Sequence, residues 1–242
     1  MKSILTIFLF LPIALLGQGR KNTLRYNVSN PLILGVDNII IGYEHIVKPY
    51  QSFVVNFGVN HLPSLNLKSF SKDQTTINLT KTKDNPGYHF SMEYRFYLPT
   101  ENKFKAPRGI YVGPYYSFNS FSKNNYWFVQ SPQYNGDLIT DIDLKIHTIG
   151  VEMGYQFVLS DRIAADIIFL GPGLGNFDIN AKINGYINAD DKKSIYDNVQ
   201  SLIAEKIPGY NFAINPQEID SQEHINVNRL NYRFMVNVGY RF

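Results

Sequence analysis

The feature that most constrains this chain is how it ends. In RLNYRFMVNVGYRF every second residue is apolar: Leu230, Tyr232, Phe234, Val236, Val238, Tyr240 and Phe242. Between them stand Asn231, Arg233, Met235, Asn237, Gly239 and Arg241. Side chains alternate faces along a strand, whereas a helix would scatter this pattern around its axis. The stretch therefore predicts a strand with one apolar and one polar face. Two environments accept such a strand: a sandwich with one face in water, or a barrel wall with lipid on one side and a polar lumen on the other.

The same alternation recurs along the chain. Residues 24–28 and 31–34 read as a first, irregular strand, and 38–47 and 52–60 as the second and third. Residues 88–98 give the clearest interior case, with Tyr88, Phe90, Met92, Tyr94, Phe96 and Leu98 opposite His89, Ser91, Glu93, Arg95 and Tyr97. Residues 110–121, 142–159 and 162–170 supply the fifth to seventh strands, and the C-terminal stretch is the eighth. In the sixth the pattern changes phase near His147, as a β-bulge would cause.

The connections separate the two environments. Those after the second, fourth and sixth strands are short or moderate. Those after the third, fifth and seventh span residues 61–87, 122–141 and 171–228; the first, GVD, is short. Sorting of loop length by parity is expected of an up-and-down barrel with tight turns at one end and long loops at the other. A sandwich has no reason to do it. The less apolar face carries Glu44, Glu93, Arg95, Glu152, Asp166, Arg162, Arg233 and Arg241, together with many glycines. Inside a small barrel those charges would have to neutralise one another. The expected fold is thus all-β: an eight-stranded antiparallel up-and-down transmembrane β-barrel with long extracellular loops, one containing a helix.

The N-terminus supports export. In MKSILTIFLFLPIALLGQGR a basic Lys2 precedes the apolar residues 4–16, and Gly17 offers a small residue for cleavage. The run is shorter than the ~20 residues of a membrane helix and fits a secretory signal over 1–17, leaving a barrel domain over 18–242. Net charge is +3, with no long basic run, so nothing points to nucleic acid. Cysteine is absent, which excludes a thiol nucleophile and thiolate metal sites. The 17 Tyr and 17 Phe suit half-wet positions and interfacial girdles.

The terminal aromatic Phe242, preceded by Tyr240, Val238 and Val236 at alternate positions, resembles the C-terminal assembly signal of Gram-negative outer-membrane barrels. With the N-terminal signal and eight strands, residues 23–242 look like the small outer-membrane barrels typified by the transmembrane domain of outer-membrane protein A. SNPLILGVDNIIIGYEHIV is similar to the opening hairpin of uncharacterised barrels of that superfamily. The resemblance implies an outer-membrane location, lipid contact, and the barrel-assembly machinery as a partner in biogenesis. No peptidoglycan-binding domain follows the last strand, so tethering to the cell wall is not implied.

Candidate chemistry is sparse. His89, Ser91 and Glu93 share a face, and HFS resembles the His-x-Ser pair of barrel lipid A deacylases. Side chains two apart on a strand are farther apart than a nucleophile–base hydrogen bond usually requires. Gly171–Gly175, GPGLG, lacks the lysine and helix of a phosphate loop and reads as chain reversal at a rim. The five histidines show no metal-ligand spacing, and no cofactor is expected. Residues 189–209 read as an amphipathic helix, with Ile195, Val199, Leu202, Ile203 and Ile207 in one stripe. The expected function is non-enzymatic, structural or accessory, with loop 171–228 contacting an envelope partner or ligand. A narrow channel or a lipid A-modifying hydrolase using Ser91 and His89 are the alternatives.

Overall fold

A computed structural model describes residues 20–61, 70–72, 75–130, 135–184 and 224–242. Among the described residues it is all-β apart from one short helix, and every strand belongs to a single antiparallel sheet. The strands are β1 (Asn22–Asn27), β2 (Ile39–Lys48), β3 (Gln51–Asn60), β4 (Phe70–Lys72), β5 (Thr75–Asn85), β6 (Gly87–Tyr97), β7 (Gly109–Gln130), β8 (Asn135–Val158), β9 (Ile163–Leu170), β10 (Pro172–Asn184), β11 (His224–Tyr232) and β12 (Met235–Arg241). The helix, α1, spans Ser29–Leu34.

Hydrogen-bonded pairing passes from β8 through β9, β12, β1, β2, β3, β6 and β7 and returns to β8, a ring of eight strands. The wall carries its alternation in register. Tyr26 pairs with both Ile41 and Val238, Tyr43 with Val55, and Phe57 with Phe90, so apolar side chains of neighbouring strands stand side by side. All point away from the ring interior and are exposed or half-buried. The opposite face is buried and polar.

β7 and β8 are much longer than the ring needs, at 22 and 24 residues, and pair without a break from Gly109↔Gln156 to Gln130↔Asn135. Beyond the ring they form, with β10, β11, β5 and β4, an open sheet in the order β11-β10-β8-β7-β5-β4. This extension corrects several expectations. Residues 122–141 are mostly strand. Residues 172–184 and 224–232 are strand too, so the expected loop 171–228 begins and ends in paired backbone. Gly171–Gly175 is not a reversal: β9 runs on into β10 past Gly171, and both pair with β8. The C-terminal strand is likewise broken at Arg233–Phe234 into β11 and β12. Each of these pairs therefore counts as one wall strand of the ring.

The bulge lies at Phe169 in β9, where Met153 pairs with Leu170 but Gly154 with Ile168, leaving Phe169 and Leu170 both exposed. At His147 the register of β8 is continuous. What changes there is polarity. Below it the buried positions of β8 are Gly154, Glu152 and Gln156; above it they are Ile146, Leu144, Ile142 and Leu138. Outward positions change in the opposite sense, from Phe157, Tyr155 and Val151 to Lys145, Asp143 and Asp141.

Residues 31–34 form the end of α1, not strand. Pro31 falls in the first helical turn, where its missing N–H has no acceptor to lose. Asn27 Oδ1 accepts from Asn30 N at 2.7 Å, and Gly35, at φ 108°, ends the helix. The expected signal over 1–17 and the amphipathic helix over 189–209 lie outside the described residues.

Candidate functional site

The polar face of the ring converges on a buried ionic cluster. Arg95 on β6 is its hub. Its Nη2 donates to Glu93 Oε2 at 2.6 Å and to Asp166 Oδ2 at 3.2 Å, and Glu152 and Glu44 lie 3.7 and 3.9 Å from its other nitrogens. Its guanidinium also stacks 4.2 Å from the Tyr111 ring centroid. Arg233 bridges Glu93 at 2.5 Å and Glu152 at 3.1 Å. Arg25 on β1 pairs with Asp166 and lies 3.9 Å from Glu93. Neutral groups add to the shell: Tyr97 donates to Gln156 at 2.7 Å, Tyr111 to Asp166 at 2.7 Å, and Ser52 to Glu44 at 2.7 Å, while Arg25 Nε and Nη1 and Glu152 Oε1 are buried without a hydrogen bond. All these charged side chains are at least nine-tenths buried.

Glycines make room for the two rings that pack on the arginines. A Cβ on Gly154 would stand 2.3 Å from the Tyr111 hydroxyl, and one on Gly150 2.6 Å from a Tyr115 ring carbon. The Tyr115 ring lies 4.9 Å from the Arg233 guanidinium carbon. The aromatic stacking and the strand spacing therefore need side-chain-free positions on β8.

The structure thus brings together Glu44, Glu93, Arg95, Glu152, Asp166 and Arg233. Arg241 stands apart, partly exposed at the end of β12, with no ion pair among the described residues. Its place at the strand terminus sets it away from the cluster, with its Nε buried and unpartnered. Arg162 lies in the β8–β9 connection and donates to the Tyr240 hydroxyl at 2.9 Å. Sequence reasoning missed Arg25. The signal was there, since Arg25 and Asn27 alternate with Leu24, Tyr26 and Val28, but a short strand with one charge weighs little by itself. Tyr240 and Val238 point outward and are exposed, and Phe242 follows the last strand residue.

His89 and Ser91 do touch. His89 Nε2 is 3.3 Å from Ser91 Oγ, and His89 Nδ1 is 2.7 Å from Asn119 Oδ1. The expectation that two residues on one strand stand too far apart fails because the imidazole is long enough to lean along the strand. Glu93 is not the third member; its carboxylate is taken by Arg95 and Arg233. With Asn119 accepting from Nδ1–H, Nε2 is left to accept from the serine. Ser91 is fully buried and also receives Asn56 Nδ2 at 2.9 Å.

Above the cluster lies a cavity of about 150 Å³. His89, Ser117, Asn119 and Arg233 line its polar side, and Phe121, Ile146 and Phe177 its apolar side. Among the described residues no group of His, Asp and Glu has the arrangement of a metal site, and no helix is long and apolar enough to cross a membrane.

A family model described as "Protein of unknown function (DUF3575)" matches residues 6–198. The chain belongs to this family. The matched region carries Arg25, Glu44, Glu93, Arg95, Glu152 and Asp166 and stops short of Arg233. No curated protein matches the chain.

Proposed function

We propose that the chain is an eight-stranded β-barrel of a Gram-negative outer membrane, exported by its N-terminal signal, with a lumen closed by ion pairs and a β-sheet extension outside the cell. The observation that carries this reading is the polarity inversion on β8. From Ile149 to Phe157 its outward side chains are apolar or half-buried and its inward ones are glycine, glutamate and glutamine. That length matches the ~9–11 residues a tilted strand needs to cross the hydrocarbon. Outward Leu174, Leu230, Phe57 and Tyr88 extend the apolar band around the ring. In water so much exposed apolar surface would drive association.

The role is structural or accessory and non-enzymatic, with the extension offering a surface to an envelope protein or other ligand. Phe242, Tyr240 and Val238 would be read by the barrel-assembly machinery. A lumen filled by Arg95, Arg233 and their carboxylates argues against a channel; planar bilayers containing the protein are expected to show no stable conductance. The mature chain extracted in detergent should run faster on gels unheated than boiled. Free solubility without surfactant would overturn the barrel. Replacing residues 185–223 by a short linker should abolish co-purification of a native envelope partner while leaving gel mobility heat-modifiable. Unchanged co-purification removes the partner role from that segment.

The Ser91–His89–Asn119 chain supports a second reading, a lipid hydrolase. Burial of Ser91 weighs against it. Lipid A from cells carrying Ser91→Ala should match that from wild type; a gained acyl chain in the variant would favour the enzyme.

A further inference from the structure

The ring wall has a place where strand gives way to helix. β1 ends at Asn27, and above it β11 pairs with β10 alone among the described strands. α1 occupies this place, packed on β12 and β2. Val236 N donates to Ser29 Oγ at 3.1 Å, and Asn38 Nδ2 to Leu34 O at 2.9 Å. The cavity above the ionic cluster reaches this point. Besides its inward residues it is lined by Ile33 and Leu34 of α1 and by Tyr232 and Phe234. Ile33, Tyr232 and Phe234 also show 46%, 42% and 45% exposure on the outer surface, level with the top of the apolar band. The cavity therefore connects the interior with the face that the barrel reading puts in lipid.

Its chemistry is mixed. Ser117 lines it, is 7% exposed, and makes no hydrogen bond to another described residue. Its hydroxyl is reachable from the cavity and free to hydrogen-bond a polar group bound there. Asn30 adds an amide at the mouth. A charged head is disfavoured in both senses. An anion would sit on a cluster in which four carboxylates face three guanidinium groups, and the lining arginine, Arg233, is already held by Glu93 and Glu152. A cation would meet Arg233 first. The volume equals that of a cavity that holds benzene, room for a head group and its first carbons but not for a whole lipid.

We propose that this cavity binds the uncharged polar head and first carbons of a single-chain amphiphile taken laterally from the surrounding bilayer. The ligand has a hydroxyl, ester or amide head, which hydrogen-bonds Ser117. Its chain leaves between α1 and the Tyr232–Phe234 break. Ser91 does not line the cavity, so the site holds its ligand without cleaving it. The inference rests on the barrel reading, and its test separates the two.

The mature protein in phospholipid nanodiscs carries three methionines: Met235 lines the cavity, whereas Met92 and Met153 point outward on the apolar band. With ¹³C-methyl methionine, titration with 1-monodecanoin should shift the Met235 signal saturably, and decanoate at alkaline pH should need at least tenfold more. Ser117→Leu, which removes the hydroxyl and fills the space, should raise the monodecanoin midpoint at least tenfold. Ser117→Ala, which keeps the fold and the volume, should raise it several-fold. Equal midpoints in wild type and both variants, or decanoate binding as tightly as monodecanoin, overturns the proposal. Met92 and Met153 report the bilayer independently. If spin-labelled lipid leaves them unbroadened, the barrel reading falls, whatever Met235 shows.

Discussion

The ring and its extension are built from the same strands with opposite interiors. In the ring, β7 buries Tyr111, Gly113 and Tyr115 against arginine and glutamate and turns Ile110, Val112 and Phe118 outward. In the extension the same strand buries Phe121, Trp127 and Val129, with Asn125 and an Asp84-paired Lys123 between them, and turns Ser120, Ser122 and Asn124 outward, followed by Tyr126 and Phe128. Backbone pairing is continuous across the change, so the ladder does not decide which residues are used. On the barrel reading proposed above, the medium outside does. Where water surrounds a sheet its apolar side chains go inside. Where hydrocarbon surrounds it the inside is the only place left for polar groups, and charges there must be paired. Trp127 shows the extension's rule in one residue: its ring is buried, and its Nε1–H finds Thr140 Oγ1 at 3.0 Å.

The sharpest test of the ring's interior is Arg95→Met. It strips Glu93 and Asp166 of a hydrogen-bonded cation and leaves buried carboxylates uncompensated, a loss of about 3–5 kcal/mol. Denaturant unfolding in detergent micelles, followed by gel mobility, measures it. In the extension the equivalent inward position holds carbon, and Leu144→Ala there should cost about 2–5 kcal/mol through a cavity rather than a charge. The two are told apart by salt and by repacking: Leu144→Met should recover most of the loss, whereas no neutral residue at 95 should. If Arg95→Met is neutral, the cluster is hydrated and the lumen open.

Next in size is Gly154→Ala. Its new methyl would collide with the Tyr111 hydroxyl and with the Ile167 carbonyl at 2.7 Å. Overpacking of this kind costs about 1–3 kcal/mol. Combining it with Tyr111→Phe, which removes the hydroxyl contact and the bond to Asp166 but leaves the ring carbon 2.5 Å from the new methyl, should recover only part. Full recovery would mean that the ring shifts freely and that the cluster does not need the tyrosine hydroxyl.

How much of this was legible in the sequence follows from the same contrast. The ring could be read because Tyr88 to Leu98 and Leu230 to Phe242 alternate long, strong apolar side chains with charges. The eight wall strands and six of the seven expected cluster residues come from that alternation. The extension could not, because NGDLITDIDLKI alternates with reversed sense and weaker contrast, Asp and Thr against Leu and Ile. Such a stretch reads as a polar loop when the apolar face is expected to point out. The apparent slip at His147 was this reversal: the period held while the polarity exchanged. α1 was hidden for another reason. Its apolar SNPLIL has no period of its own, and only the Asn27 side chain and Gly35 give it ends. The contact of Ser91 with His89 depends on a rotamer, which residue spacing does not specify.

The cleanest comparison sets a membrane-depth change beside the smallest expected effect of all, because it exchanges two residues on one face of one strand. Met153 points outward midway along the apolar stretch of β8, and Lys145 points outward beyond it. Met153→Lys should destabilise the protein by about 2–4 kcal/mol if that face lies near the middle of hydrocarbon. Lys145→Met exposes a thioether to water and should change stability by no more than about 0.5 kcal/mol. The asymmetry should vanish if both positions face water, since a surface lysine at 153 would then cost as little. Measured side by side in nanodiscs, equal and small effects at the two positions would mean that one medium surrounds the whole of β8, and the inversion along it would have to come from packing alone.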